Sequence, residues 1–261
     1  METTYWLKQT AGSPLFPDIL WSRPETKQGA GKLLIVGGNS FGFSAPGAAY
    51  AEAVAAAIGT ARVLLPENLR KVVGNHILEA EFAPTNPSGS FSAQSLEPLL
   101  TNAQWADCVL LAGELGRNSE TAMTLESFVN KYTGLLTITR DAADYFLHDP
   151  KVVLDRKNTL LVISFEQLQK IAIHVHHIDP LMFSIDAGHL AHWLHEFTAM
   201  HAAGVVTMHS GLLFMSSKSS VVSQAKKDDD KVWRVKTAAR ASVFWLQNSE
   251  KQLEAVVSSW V

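Results

Sequence analysis

Short apolar segments alternate with longer segments of helical periodicity along most of the chain. The apolar segments are rich in Leu, Ile and Val, as expected of strands buried on both faces of a sheet. The predicted strands are residues 32–36, 62–65, 77–82, 108–111, 135–138, 160–163 and 205–208. The predicted helices are residues 45–58, 95–105, 119–132, 165–171 and 186–203. This order predicts right-handed βαβ units and a mostly parallel central sheet with helices on both faces.

The two ends of the chain depart from this alternation. Gly12, Pro14, Pro17 and Pro24 are turn-formers, so residues 1–30 are predicted to be an extended lead-in. Beyond residue 208 we predict a hairpin of residues 212–215 and 221–223, a solvated turn over 226–231, and helices over 238–246 and 252–260. We therefore predict a single α/β domain over residues 1–261.

The composition is that of an ordinary globular protein. Of 261 residues, 47% are hydrophobic and 18% are charged, which excludes disordered, collagen-like and coiled-coil chains. The formal net charge is −3. This balance argues against nucleic acid or an anionic membrane surface as the main partner.

The cysteine content and the N-terminal residues indicate the cellular compartment of the protein. Cys108 is the only cysteine, so no disulfide forms within one chain, as is usual in a reducing compartment. Residues 1–6 have neither the basic nor the apolar region of a secretory signal. No segment approaches the ~18 uninterrupted apolar residues of a transmembrane helix. These features predict a cytoplasmic protein without a membrane partner.

The most informative segment joins the first predicted strand to the first long predicted helix. Its sequence, KLLIVGGNSFGFSAPG, places Gly37, Gly38 and Gly42 between the two elements. Glycines there allow a ligand to approach the backbone N–H groups, and the helix N-terminus favours an anion. A plain βα turn is the alternative interpretation. The dinucleotide fingerprint Gly-x-Gly-x-x-Gly is absent, and no acidic residue ends the second strand.

The residues around this segment resemble the NAD(P)H-hydrate dehydratases, ribokinase-like enzymes that repair hydrated nicotinamide cofactors. The resemblance rests on Arg23-Pro24, on GKLLIVGG with Gly42 and Ala45-Pro46, and on ARVLLPE from residue 61. LAGELGR from residue 111 resembles the family's Gly-Pro-Gly-Leu-Gly turn, with Glu114 in place of the central glycine. GLLTITRDA from residue 134 resembles its Leu-Asp-Ala-Asp-Ala strand end and keeps only the second aspartate, Asp141.

This resemblance implies a three-layer ribokinase-like fold and a lyase activity. The family uses ATP or ADP, with Mg²⁺, to dehydrate hydrated NADH or NADPH. The sequence does not determine the oligomeric state, and a homo-oligomer is one of the states it allows. By the same resemblance, Gly38, Gly42, Ala45, Gly113 and Gly116 would bind the cofactor at the carboxyl ends of the strands.

The later part of the chain departs from the family where its catalytic carboxylate should lie. In the family an aspartate ends a Gly-x-Gly-Asp loop at the start of a late helix, and alignment by helix position places Ala241 and Ser242 there. A serine hydroxyl without an adjacent base cannot accept a proton near neutral pH. Asp141 is therefore a candidate substitute, with Glu114 and Glu166 as further candidates. The family's His-Pro-Gly-Glu turn and its Lys-Gly are also replaced, by Ser-Phe-Glu-Gln from residue 164 and by Met208-His209.

These departures leave two main functions open. The first is a dehydratase whose turnover is far below that of intact members. The second is a non-catalytic relative that binds a nucleotide or a protein partner. A small-molecule kinase of the same superfamily is a third, but it needs the same missing base. Arg240, which the alignment places at a helix N-terminus, is a candidate for bidentate phosphate binding, with an ordinary surface arginine as the alternative.

Eight of the ten histidines lie between His174 and His209. At ~100° per residue, His189, His192 and Glu196 share one face of the helix predicted over 186–203, a set that could bind zinc. A solvated polar face and a partner surface are the alternatives, and His201 is predicted to be half-buried on the apolar face. The spacing matches no established metal signature, so no metal site is predicted.

Overall fold

The computed structural model describes residues 4–74, 79–226 and 232–261. Within these residues, ten strands form one sheet: β1 (Trp6–Gln9), β2 (Lys32–Gly37), β3 (Thr60–Pro66), β4 (Ala80–Ala83), β5 (Cys108–Gly113), β6 (Leu135–Thr139), β7 (Thr159–Val162), β8 (Gly204–His209), β9 (Leu212–Ser217) and β10 (Ser220–Ala225). Their order across the sheet is β1-β10-β9-β8-β7-β6-β5-β2-β3-β4. Only β9 among them runs against its neighbours, β8 and β10.

Helices cover both faces of the sheet. They are α1 (Pro17–Trp21), α2 (Ser44–Ala55), α3 (Arg70–Val73), α4 (Leu96–Trp105), α5 (Ser119–Lys131), α6 (Lys151–Leu154), α7 (Phe165–His174), α8 (Ala187–Met200), α9 (Trp233–Gln247) and α10 (Gln252–Ser258), with short 3₁₀ turns at Glu67–Leu69, Ala93–Ser95 and Arg140–Phe146. In the part of the chain that is described, no helix is long and apolar enough to span a lipid bilayer.

The alternation of side chains along β2 divides the core between the two helix layers. Leu33 and Ile35 pack in one apolar cluster with α1, α2, α9 and α10. Leu34 and Val36 pack in the other with α4, α5, α7 and α8. All six residues of β5 are buried, and this strand pairs with β2 and β6. The predicted three-layer α/β fold with a mostly parallel sheet is thus confirmed.

The two ends of the chain differ from the prediction in three respects. Residues 1–30 are not simply extended, because β1 adds a parallel strand beside β10 and α1 packs against α10. Helix α9 begins at Trp233 rather than at residue 238. Of the predicted solvated turn at 226–231, residues 227–231 lie outside the described residues, as do residues 77 and 78 of the third predicted strand. The predicted hairpin is confirmed as β9 and β10.

The sheet has a topological switch point between β2 and β5. From β2 the chain proceeds outward to β3 and β4, and it then returns to place β5 on the other side of β2. In open α/β sheets, ligands bind in the crevice outside the carboxyl ends of the strands at such a point. The loops that follow β2 and β5 are therefore the first place to look for a site.

Candidate functional site

An open cleft of about 780 Å³ lies at this edge of the sheet, within the range of small-molecule sites. The turns that follow β5 and β6 form its walls, and the first two turns of α7 and the first turn of α9 add further side chains. Its lining includes Asn39, Glu114, Gly116, Arg117, Arg140, Asp141, Asp144, Gln167, Lys170 and Arg234.

Two glycine segments meet beneath the cleft. The N–H of Gly38 donates to the carbonyl oxygen of Gly113 at 3.0 Å. A Cβ on Gly37 would lie 2.4 Å from that same carbonyl oxygen, so only glycine permits this approach. The structure therefore brings the two glycine segments after β2 and β5 into direct contact. Of the predicted cofactor-binding residues, however, only Gly116 lines the cleft.

Asp141 holds the turn after β5 in place. Its carboxylate accepts hydrogen bonds from the backbone N–H groups of Glu114 at 2.7 Å and Leu115 at 2.8 Å. A carboxylate that accepts two hydrogen bonds from backbone N–H groups is held in place by them. Asp141 thus lies at the cleft, as expected of a substitute base, but it is already engaged by the protein.

Glu114 caps helix α2 from a neighbouring loop. The N-cap residue of α2, Phe43, makes no side-chain capping bond. Instead the Glu114 carboxylate accepts from the Ser44 hydroxyl and from the N–H of Ala45 at 2.9 Å. A carboxylate at this helix end compensates both the unpaired N–H groups and the helix dipole. The amide of Ala45, predicted to contact a cofactor, is therefore occupied by the chain itself.

Four cationic side chains line the same cleft, and one of them, Arg140, lies 3.8 Å from the Glu114 carboxylate. The Gln167 side chain accepts from the Arg234 guanidinium at 3.0 Å and donates to the backbone carbonyl oxygen of Arg140 at 2.7 Å. Burial, and then the charge of Arg140, lower the pKa of Arg234. Lys170 and Arg117 add two further cationic groups. We call Arg117, Arg140, Lys170 and Arg234 the basic end of the cleft.

The alignment that placed Ser242 at the start of a late helix is wrong. Helix α9 begins at Trp233, so Ser242 lies in its interior, fully buried. Its hydroxyl donates to the carbonyl oxygen of Ala238 at 2.8 Å and shares a second hydrogen bond of 2.8 Å with the hydroxyl of Thr137 on β6. Ser242 and Ala241 therefore belong to the contact between helix and sheet. The segment before α9, where the resemblance would place the carboxylate, includes residues 227–231, which lie outside the described residues.

The same correction applies to Arg240, which does not lie at a helix N-terminus. Its guanidinium donates to the carbonyl oxygen of Ser259 at 2.9 Å and forms an ion pair with Glu52 at 3.3 Å. These contacts join α9 to α2 and to the segment after α10. Arg240 does not line the cleft.

The other family positions that were singled out also have structural partners. Glu166 is exposed and pairs with Lys170 at 2.7 Å, and this hydrogen bond lowers the pKa of its carboxyl. His209 is buried, stacks on Phe165 and hydrogen-bonds to the carbonyl of Ile185 at 2.9 Å.

The histidines on the outer face of α8 form a polar surface. His189, His192 and Glu196 are exposed on α8, whereas the apolar face of that helix is buried. His189 pairs with Asp186, and His192 with the hydroxyl of Tyr5. Among the described residues, no three His, Cys, Asp or Glu side chains are arranged to hold a metal ion.

Sequence reasoning did not identify Arg234, Gln167 and Lys170 as site residues. Arg234 lies in the first turn of α9. The sequence predicted that this helix begins at residue 238, so the position of Arg234 at a helix start was not recognised. The capping box of Ser164 and Gln167 marks the start of α7, and it could have placed Gln167 and Lys170 at the carboxyl edge of β7.

Comparison with known proteins supports the fold. No protein-family profile matches the chain, and no curated protein matches it significantly. A ribokinase-like superfamily protein from Enterococcus faecalis is 14% identical with a TM-score of 0.72, over 99% of this chain and 87% of that one. A hypothetical protein from Streptococcus mutans is 16% identical with a TM-score of 0.70, over 93% and 84% of the two chains.

A Bacillus subtilis enzyme gives a further match. It is an ADP/ATP-dependent NAD(P)H-hydrate dehydratase co-crystallised with ATP and Mg²⁺. It is 11% identical to this chain, with a TM-score of 0.61, over 90% of this chain and 79% of the enzyme. At such identities the likeness concerns architecture, and it agrees with the layers and strand order described above: the chain has the ribokinase-like fold.

Proposed function

We propose that this protein binds a nucleotide phosphate at the basic end of the cleft. The observation that carries the proposal is the pair Arg140 and Arg234, two guanidinium groups that line the same cleft, with the Arg234 guanidinium held by the side chain of Gln167. Burial and the nearby charge of Arg140 lower the pKa of Arg234, against the opposing effect of Asp144, Asp141 and Glu166, so this guanidinium is a partly desolvated cation that a bound anion would stabilise further. Arginine also suits phosphate because its planar donors bind it bidentately.

We further propose that dehydratase turnover is absent or far below that of intact family members. A general base needs a carboxylate that is free to take a proton from the reacting hydroxyl. The cleft-lining carboxylates Glu114, Asp141 and Asp144 each accept hydrogen bonds from the protein. Within the described residues, the cleft thus supports binding better than catalysis.

The ligand that fits best is ATP or ADP, with hydrated NADH or NADPH as the substrate of any residual turnover. The basic end suits the phosphates of any of these compounds. The described carboxylates do not form a group of three that would hold a metal ion, so Mg²⁺ would be held chiefly by phosphate oxygens and water. A cytoplasmic location stays a prediction from the sequence, and a homo-oligomer stays one of the states that the sequence allows.

Titration calorimetry with ADP and with ATP tests the binding proposal. We expect Arg234→Gln to weaken binding by about tenfold or more, the loss typical of one charge-assisted hydrogen bond. Arg70→Gln is the matched control, because Arg70 pairs with Glu67 outside the cleft. Equal affinities of the wild type and Arg234→Gln, or no binding at all, would contradict the proposal.

A separate assay tests turnover. The protein is incubated with hydrated NADH and ADP or ATP in the presence of Mg²⁺, and recovery of the absorbance of the reduced nicotinamide is followed. We expect a rate lower by a factor of at least ~10² than that of a dehydratase with an intact Gly-x-Gly-Asp loop. A rate comparable to that enzyme would show that a carboxylate elsewhere in the chain serves as the base.

A further inference from the structure

We propose that Glu114 determines which ligands the cleft accepts. Its carboxylate favours a ligand that presents a hydrogen-bond donor, such as a sugar hydroxyl, beside Glu114, and it rejects a second anionic group there. This inference rests on the proposed binding of a phosphate at Arg140 and Arg234.

The backbone of Glu114 is held in a conformation that side chains rarely adopt. Its φ is +58°, between two left-handed glycines, Gly113 and Gly116. For a residue with a Cβ this conformation is strained. Its N–H donates to Asp141 at 2.7 Å, and its carbonyl accepts from the Asn39 side chain at 2.6 Å. The surrounding loops therefore fix the point from which this side chain extends.

The side chain is fixed as well, and it still faces the cleft. One carboxylate oxygen accepts from the Ser44 hydroxyl and the other from the N–H of Ala45. A carboxylate offers about four acceptor positions, so these bonds leave acceptor capacity for a ligand. Glu114 lines the cleft with 18% of its side chain exposed. A bound ligand therefore meets a negative charge that cannot swing away without releasing the start of α2.

The negative charge of Glu114 lies close to the basic end of the cleft. The Glu114 carboxylate lies 3.8 Å from the Arg140 guanidinium, so the two groups mark the junction of an acidic and a basic part of the cleft. A ligand phosphate on Arg140 and Arg234 is attracted. A second phosphate near Glu114 is repelled by a like charge, whereas a hydroxyl there donates a hydrogen bond. At separations of about 5 Å and an intermediate dielectric constant, the difference is about tenfold or more in affinity.

Two probes that differ at one position test the inference. AMP and adenosine 3′,5′-bisphosphate share a skeleton, and one carries a hydroxyl where the other carries a second phosphate. We expect the wild type to bind AMP about tenfold more tightly in calorimetry. Glu114→Gln removes the charge with little change of shape, and we expect it to abolish this preference.

Three further variants test whether the charge of Glu114 is what causes the preference for AMP. Glu120→Gln is the matched control, since Glu120 accepts from the N–H of Ala93 at 2.8 Å and does not line the cleft. We expect it to keep the preference for AMP. Ser44→Ala removes one bond of Glu114 without changing the charge and should also keep it. Arg234→Gln should weaken the binding of both probes, which locates them at the proposed site.

The outcomes distinguish this inference from the function on which it rests. If AMP binding depends on Arg234 but Glu114→Gln keeps the wild-type preference, the role of Glu114 is wrong and the phosphate site stands. If AMP does not bind, or binds independently of Arg234, both proposals fail. A wild type that binds the bisphosphate as tightly as AMP overturns the inference without any variant, so the test does not depend on the folding of Glu114→Gln.

Discussion

The carboxylate of Asp141 lies directly against the backbone of Gly113. A Cβ on Gly113 would stand 2.5 Å from the Oδ1 atom of Asp141 and 2.9 Å from the Cβ of Arg140. This approach allows Asp141 to reach the N–H groups of Glu114 and Leu115. The turns after β5 and β6, which together border the cleft, are therefore one hydrogen-bonded unit.

We expect Gly113→Ala to disrupt this unit. The new Cβ collides with Asp141, and a φ of +95° is unfavourable for alanine, so the free energy of unfolding should fall by about 1–3 kcal/mol. Chemical denaturation measures this loss, and ADP binding should weaken with it. Gly42→Val is the control, because nothing lies within 4 Å of a Cβ at that position. It should keep its stability within about 0.5 kcal/mol and, because Gly42 does not line the cleft, its affinity for ADP as well. A Gly113→Ala variant as stable as the wild type would contradict the geometry.

Asp141→Asn separates a structural role of this residue from a catalytic one. An amide offers one oxygen in place of two and turns its NH₂ group toward a backbone N–H, so we expect a loss of about 1–3 kcal/mol in the free energy of unfolding. Residual turnover should fall no further than it does in Gly113→Ala, which disturbs the same turn. Unchanged stability together with complete loss of turnover would instead identify Asp141 as the base.

Much of the fold could be predicted because its strands are buried on both faces. The Leu-, Ile- and Val-rich run of β2 and the fully buried run of β5 give a signal that does not depend on distant contacts. The edge strand β1 gave no such signal. Only one of its four residues, Gln9, is buried, and it becomes a strand because its backbone pairs with β10.

The site was harder to predict because its residues come from several loops. Gly113, Gly116 and Asp141 could be found, since glycines and acids after buried strands point to the carboxyl edge of a parallel sheet. Ser242 was misplaced because alanine-rich sequence offers no sharp start to α9, whose N-cap makes no side-chain bond. The basic end could not be found without the fold, since Arg140 and Arg234 are far apart in sequence and the Gln167 side chain joins the Arg234 guanidinium to the backbone of Arg140.

Introducing a carboxylate at Ser242 tests the corrected position of this residue. Ser242 is fully buried between α9 and β6, so we expect Ser242→Asp to lower the free energy of unfolding by about 3 kcal/mol or more, the cost of an unpaired buried charge. Ser242→Ala should lose only about 1 kcal/mol with its hydrogen bonds. Thermal and urea unfolding measure both effects. A stable Ser242→Asp variant with increased turnover would support the alignment of Ser242 with the family's catalytic aspartate, which the structure contradicts.

Arg240 should contribute to stability and not to ligand binding. Its guanidinium bonds to Ser259 and pairs with Glu52, both groups being partly buried. We expect Arg240→Ala to lower the free energy of unfolding by about 1–2 kcal/mol, with the affinity for ADP unchanged. Arg234→Gln should show the converse pattern. Weakened ADP binding in a fully stable Arg240→Ala variant would support the original assignment of Arg240 to phosphate binding.

The buried thiol of Cys108 makes stability fall at alkaline pH. Burial raises the pKa of Cys108 from 9.0 to about 12, and hydrogen bonds with Thr137 and Ser242 offset this only in part. Above about pH 9 the unfolded chain releases the thiol proton while the folded chain keeps it, so stability is full below that pH and declines as pH rises. The expected slope of the free energy of unfolding approaches about 1.4 kcal/mol per pH unit. Urea unfolding of the wild type and of Cys108→Ala over this range isolates the effect, because titrating tyrosines contribute equally to both proteins. Parallel profiles for the two proteins would show that Cys108 ionises as readily in the folded chain as in the unfolded one.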